Sequence, residues 1–221
     1  MKIAIDGPGG AGKSSVAKAL AAMLGLVYVD TGALYRTVGL YMRRAGADMT
    51  DPGDIVPRLD GVKLELRWTD EGQRVILGGE DVSEAIRTPQ ASMDASAVSS
   101  IPEVRAFLLS VQRDMADAGG VIMDGRDIGT VIMPDAELKI FLTASPEARA
   151  MRRFAELRAK GQECKLEEVL ADIVSRDAAD SGREIAPAVP ADDAVILDNS
   201  GMGLDETVEC IAKMAKEKMN G

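Results

Sequence analysis

Residues 7–14, Gly7-Pro8-Gly9-Gly10-Ala11-Gly12-Lys13-Ser14, fit the pattern G-x-x-x-x-G-K-[ST]. They stand directly between an apolar run, Lys2–Ile5, and a helical stripe, Val16/Leu20/Met23/Leu24. A strand, a Gly-rich loop and a helix in that order form the opening unit of a parallel α/β sheet, so the arrangement restricts the fold tightly. The glycines let backbone N–H groups turn inward around phosphate oxygens. Lys13 can reach the β and γ oxygens of a nucleotide, and the Ser14 hydroxyl suits Mg²⁺. A Gly-rich turn without a ligand is the alternative, and the strand–loop–helix placement speaks against it. ATP or GTP binding is therefore expected. The only asparagines are Asn199 and Asn220, so the Asn-Lys-x-Asp guanine-reading motif is absent and a GTPase is disfavoured.

Four further apolar runs end in polar or turn residues: Leu26–Val29, Val121–Met123, Leu138–Leu142 and Ala194–Leu197. With Lys2–Ile5 they read as five strands of a parallel sheet, buried on both faces. Helical stripes lie between and after them, at Val104/Leu108/Val111/Met115 and Leu204/Val208/Ile211/Met214. Two departures break the alternation. Between Asp30 and Val121 the chain is far longer than one crossover requires, and within it Val62–Trp68 alternates strictly, as a strand with one wet face does. Thr69-Asp70-Glu71-Gly72 reads as a turn, Gln73–Leu77 as the return strand, and Glu80–Val82 as a third strand after Gly78-Gly79. A small antiparallel meander is thus inserted in a parallel sheet. The second departure, between the fourth and fifth sheet strands, carries two helices. One starts at Ser145-Pro146-Glu147 and runs toward Lys160-Gly161; Leu166, Val169, Leu170, Ile173 and Val174 mark the other.

Composition narrows the chemistry. There is no histidine in 221 residues, which excludes Ser-His-Asp triads, imidazole metal ligands and imidazole acid–base catalysis. A net charge of −10 repels a polyanion, so no nucleic-acid partner is expected and any anionic ligand must meet a local basic site. Two distant cysteines, Cys164 and Cys210, suggest no disulfide framework and fit a reducing compartment. No signal-peptide pattern or spanning apolar run is read, so a cytoplasmic protein without a membrane partner is expected. With no assembly signal, a monomer is the default.

Ligands of open α/β sheets lie beyond the carboxyl ends of the strands, and three clusters fall there or near it. Asp30-Thr31-Gly32-Ala33-Leu34-Tyr35-Arg36 follows the second strand. Thr31 is expected to cap the next helix, and Arg36, read in its first turn, opposes the helix dipole unless an anion is near. Asp124-Gly125-Arg126-Asp127 follows the third strand, placing Asp124 to organise Mg²⁺ with its waters and Arg126 toward the phosphates. A plain loop salt bridge is the alternative for Arg126. If the later helix persists, Arg176, Asp180 and Arg183 share one face within ~60°. The preceding helix adds Arg149, Arg152, Arg153 and Arg158, so an arginine-rich element could close over transferring phosphates.

Five segments together resemble the bacterial cytidylate kinase family: GPGGAGKSS at 7–15, DTGALYR at 30–36, GEDVSEAIRT at 79–88, DGRDIGTVIMPDA at 124–136 and RDAADSGRE at 176–184. The resemblance spans nearly the whole chain in order, and Gly9 stands where many members have serine. It implies a P-loop kinase core (1–58, 100–145 and 184–221), an inserted nucleoside-monophosphate-binding domain (59–99) and a lid (146–183). It implies nucleotide binding by Gly7 through Ser15, that is Gly7, Pro8, Gly9, Gly10, Ala11, Gly12, Lys13, Ser14 and Ser15, with ATP as phosphoryl donor. Arg36, Arg126 and Arg183 then meet the acceptor phosphate, Ser96, Arg105 and Asp127 surround cytosine, and Arg176 with Asp180 sits at the sugar. The implied reaction is γ-phosphoryl transfer from MgATP to CMP or dCMP, with Lys13, Asp124, Arg126 and Arg183 as its catalytic residues. Another P-loop small-molecule or UMP kinase, or a nucleotide-sensing regulator without turnover, are the competing readings.

Overall fold

The computed structural model describes residues 1–69, 72–159 and 161–220. Its elements are β1 (Lys2–Asp6), α1 (Lys13–Leu24), β2 (Val27–Asp30), α2 (Thr31–Arg44), α3 (Pro52–Ile55), β3 (Leu64–Thr69), β4 (Gly72–Leu77), β5 (Glu80–Asp81), α4 (Pro89–Ser99), α5 (Pro102–Asp117), β6 (Val121–Gly125), β7 (Leu138–Thr143), α6 (Pro146–Ala159), α7 (Leu166–Ser181), β8 (Val195–Asp198) and α8 (Leu204–Asn220). The chain divides into two units, residues 1–27 with 119–221, and residues 28–118.

The first unit is built on the expected parallel sheet, in the order β2-β6-β1-β7-β8, with β2 at the point where the chain leaves for the second unit. In β1, Lys2 to Asp6 face Val121 to Gly125 of β6, and Ile3 to Asp6 face Leu138 to Phe141 of β7. The rims of β1 and β6 therefore end level, and the loops after them, 7–12 and 126–127, start side by side. Ile3, Ile5, Ile122, Met123 and Leu142 are fully buried, as the apolar runs require.

The expectation of two covered faces fails at the edges. Val195 and Ile196 of β8 are exposed, Ile196 by 62%, and β2 opens with the exposed Val27. An edge strand has one neighbour and an incomplete helical cover, so its apolar run need not be a core run. The two helices between β7 and β8 form as expected. The Ser145 hydroxyl accepts from Ala148 N at the start of α6, and Ala150 packs against Val169 and Ile173 of α7. Lys160, read near the end of α6, lies outside the described residues.

The second unit holds the antiparallel sheet β3-β4-β5, with Leu64 facing Leu77 and Trp68 facing Gln73. Asp70 and Glu71 of the expected turn lie outside the described residues. A core of Leu34, Val38, Met42, Ile55, Val82, Ile86, Val104 and Leu108 ties α2 to α5 and the meander. Helices α2 and α4 approach closely at Gly39, where a Cβ would come within 2.7 Å of the Asp94 Cβ. Arg43 of α2 forms a forked pair with the same Asp94.

Candidate active site

In the first unit the phosphate loop starts where two strands meet. Gly7 has φ +142°, and a Cβ there would lie 2.0 Å from the Leu142 carbonyl oxygen, so only glycine fits between β1 and β7. Helix α1 opens at Gly12 with no side-chain cap among the described residues and no acidic residue in its first turn. Its leading N–H groups and the positive end of its dipole are left for an anion. Lys13 is buried and donates Nζ to the Pro8 carbonyl at 2.7 Å. Burial, then the charge of Arg126, pushes its ammonium down to about 7, against the pull of Asp124, Asp6 and Asp180. Phosphate oxygens would relieve that repulsion.

The Ser14 hydroxyl donates to Asp124 Oδ2 at 2.8 Å, across 110 residues. A hydroxyl and a carboxylate, both hard oxygen donors at the mouth of a phosphate loop, fit Mg²⁺. No group of three or more His, Cys, Asp or Glu suited to a metal occurs among the described residues. A Mg²⁺ ion held through nucleotide oxygens and water needs no such group.

Arg126 donates Nε to Asp180 Oδ2 at 2.8 Å, and its Nη2 stands 3.6 Å from where a side chain on Gly9 would begin. Arg183 donates Nη2 to Asp180 Oδ1 at 2.7 Å. Burial works to raise the Asp180 carboxyl, but the charge and hydrogen bond of Arg126, with Arg183 and Arg176, hold it below its usual range. Burial, then Arg126, also lowers the Arg176 guanidinium. Arg176 and Arg183, read from helical spacing, and Arg126, read from its place after the third strand, form one cationic cluster around the single carboxylate of Asp180. Arg183 reaches it from beyond the helix, because α7 ends at Ser181 and Gly182 closes it. The shared helical face thus covers only Arg176 and Asp180.

Asp127 is buried and precedes a single π-helical turn, Ile128–Ile132. That turn is pinned by a residue not singled out in the sequence, Asp6. Its two carboxylate oxygens accept the N–H groups of Ile128 and Gly129, each at 2.7 Å. Burial, opposed by these bonds and reinforced by Asp127, raises Asp6 to about 6 from 3.8. A carboxyl raised on folding adds stability that is complete below its unfolded value and lost as pH rises through the folded one. Between pH 4 and 7 the wild type should thus lose about 3 kcal/mol relative to Asp6→Asn. Denaturant titrations of both proteins check this, and a pH-independent difference refutes it.

In the second unit, Asp30 rather than Thr31 caps α2. Asp30 Oδ1 accepts from Ala33 N at 2.9 Å, and Thr31 is the first helical residue. Arg36 accordingly lies in the second turn, and the anion near it is Asp30 itself, whose Oδ2 accepts from Arg36 Nη2 at 2.8 Å and Arg87 Nη1 at 3.0 Å. Arg36 Nε is buried with no hydrogen-bond partner among the described residues. Arg87, part of the 79–88 segment but given no role of its own there, lies two residues before α4. Arg105 of α5 lies over the Tyr35 ring at 5.5 Å and donates to the Ser99 carbonyl, while the Ser99 hydroxyl donates to the Ser96 carbonyl. Ser96 and Arg105 are therefore linked through Ser99 across the α4–α5 turn.

A family model described as cytidylate kinase matches residues 3–217. The chain belongs to the cytidylate kinase family. The cytidylate kinase of Caldanaerobacter subterraneus subsp. tengcongensis is 48% identical over 221 residues, covering 100% of this chain and 97% of that one. That of Geobacter sulfurreducens is 46% identical over 216 residues, covering 98% and 93%. Among solved structures, shikimate kinase from Bacteroides thetaiotaomicron aligns with TM-score 0.50 at 14% identity, covering 98% of each chain. An uncharacterized protein from Eubacterium ventriosum aligns at 0.54 and 12%, again covering 98% of each. These two likenesses bear on the fold alone.

For this member of the cytidylate kinase family one expectation needs correction. Arg149 and Arg152 are not free to close over phosphates. Arg149 is 3% exposed and bonded to the carbonyls of Ala144 and Gly9 and to Asp177. Arg152 is bonded to Asn199. Arg153 pairs with Glu156, and Arg158 is exposed. Spacing placed these arginines on one helix correctly but could not show that two of them face inward.

Proposed function

We propose that the chain transfers the γ-phosphoryl group of MgATP to CMP or dCMP, giving ADP and CDP or dCDP. The observation that carries this reading is the crowding of Lys13, Arg126, Arg176 and Arg183 beside the phosphate loop, where burial and the charge of Arg126 disfavour the Lys13 ammonium and lower the Arg176 guanidinium. Such a cluster suits phosphates at both ends of a transfer.

In this reading the residues 7–15 hold the triphosphate, and Ser14 with Asp124 would hold Mg²⁺. That ion supplies charge neutralisation at the β and γ oxygens. Arg36, Arg126 and Arg183 bind the acceptor phosphate, and Arg176 with Asp180 meets the sugar. Ser96, Arg105 and Asp127 read the base. The acceptor is already an anionic oxygen, so no general base is needed, in keeping with a chain that has no histidine. Segment 59–99 serves as the acceptor-binding insert and 146–183 as the lid. We place the reaction in the cytoplasm, on a single chain and without nucleic acid; both cysteines are free thiols, and among the described residues no helix is long and apolar enough to cross a membrane.

A coupled assay with ATP and each nucleoside monophosphate tests the reading, with turnover expected for CMP and dCMP well above UMP. Asp127→Asn should lose that preference. A carboxylate accepts from the cytosine N4 amino group, whereas uracil leaves it facing O4, a mismatch of about 1–3 kcal/mol. An unchanged ratio of kcat/KM for CMP and UMP removes Asp127 from base reading.

A further inference from the structure

Three carbonyl oxygens of the phosphate loop are bonded to side chains from three separate places. Pro8 O accepts from Lys13 Nζ at 2.7 Å, Gly9 O from Arg149 Nη1 at 2.9 Å, and Ala11 O from Asn199 Nδ2 at 3.1 Å. A trans peptide is planar, and its C=O and N–H point in opposite directions. Fixing the Gly9 carbonyl therefore aims the Gly10 N–H the other way, and fixing the Ala11 carbonyl does the same for the Gly12 N–H. We infer that Arg149 and Asn199 are positioning residues of the phosphate loop, holding its carbonyls outward so that its N–H groups face the nucleotide.

Both side chains are held firmly enough for the task. The Arg149 guanidinium is fixed on its other edges by Ala144 O at 2.9 Å and by both carboxylate oxygens of Asp177 in α7. Its stem lies against the loop, since a Cβ on Gly10 would come 3.3 Å from Arg149 Cβ. Asn199 is 4% exposed, and its own N–H donates to Thr143 O at 2.8 Å. Arg152 donates to Asn199 Oδ1 at 3.1 Å and to its carbonyl at 2.6 Å. Arginine only donates, so the amide oxygen must face Arg152 and the amide NH₂ must face Ala11. Arg149 and Arg152 are three residues apart on α6. One face of that helix thus sets two peptides of the donor loop, one directly and one through Asn199.

The inference rests on the reading that this loop binds ATP, and two variants separate the outcomes. Asn199→Asp keeps an acceptor for Arg152 but removes the donor to Ala11 O. Arg149→Lys keeps the charge but ends one atom short of Nη1, the nitrogen that meets Gly9 O and Asp177 Oδ1 together, and gives up the separate bond from Nε to Ala144 O. In each, KM for ATP should rise about tenfold or more, the effect of losing one charge-assisted or buried hydrogen bond. KM for CMP should stay within about twofold, and inhibition by adenosine, which has no phosphate, should be unchanged. ATP constants within about twofold of wild type in both variants, or ATP and CMP constants rising together, overturn the positioning role. Absence of ATP-dependent turnover in the wild type would instead overturn the kinase reading itself.

Discussion

Lys13→Ala should lower kcat about a thousandfold, the scale of losing a preorganised charge at the transferring group, while leaving the fold intact. The two halves of that expectation come from one fact. Lys13 is buried beside Arg126, and burial and the like charge both disfavour its ammonium in the folded protein. Between the folded value of about 7 and the usual lysine value of 10.5, the unfolded chain binds the proton better. Lys13 therefore makes folding less favourable as pH falls through that window. Its removal should not lower the melting temperature at neutral pH, although the Pro8 carbonyl loses a donor. What is lost is the charge that phosphate oxygens would meet. A coupled assay and a thermal melt on the same preparation check both halves. Near-normal kcat would take Lys13 out of the mechanism, and a collapsed melt would make it a structural residue.

Arg126→Lys should behave almost like Arg126→Ala, with kcat down about a hundredfold in each. The guanidinium has two tasks that a single ammonium cannot share: Nε is committed to Asp180, and Nη2 stands over Gly9. A lysine could keep the ion pair with Asp180 or reach the loop, but not both. Asp180 would also lose one of its direct ion pairs, keeping that with Arg183. If the lysine variant keeps more than about half of the wild-type rate, Arg126 acts as a point charge and its fork is irrelevant.

Much of the fold is legible in the sequence itself. Apolar runs ending in Asp6 and Asp124 gave strands whose polar ends lie level, because strand period and burial are local properties. The meander was legible for the same reason, from the alternation at 62–68. What spacing could not supply was the partner of each side chain. Arg149 and Gly9 lie 140 residues apart, and Asp6 and Ile128 lie 122 apart. Nothing in either segment says that a carbonyl or an N–H waits for the other. The helical wheel put Arg149 and Arg152 among potential lid charges, yet burial decides which face of a helix is inward, and that depends on β7, β8 and α7 together. Arg183 misled in the opposite way: it lies beyond Ser181, and still reaches Asp180 because its side chain is long. Asp30 took the capping role expected of Thr31 because its carboxylate, one residue earlier, can cap the helix and pair with Arg36 and Arg87 at once.

The clash that forces glycine at position 7 is with the backbone of β7, not with anything a nucleotide brings. Position 9 differs, since the nearest group to a side chain there is the end of Arg126, at 3.6 Å. The first letter of this phosphate-binding signature therefore reports how two strands close together, whereas position 9, where the signature takes any residue, leaves a Cβ at ordinary contact distance. A descendant of this chain that had given up catalysis would still keep Gly7 for as long as it kept its sheet. In such a lineage the motif would outlive the activity, and a count of its glycines would overstate what the protein still does.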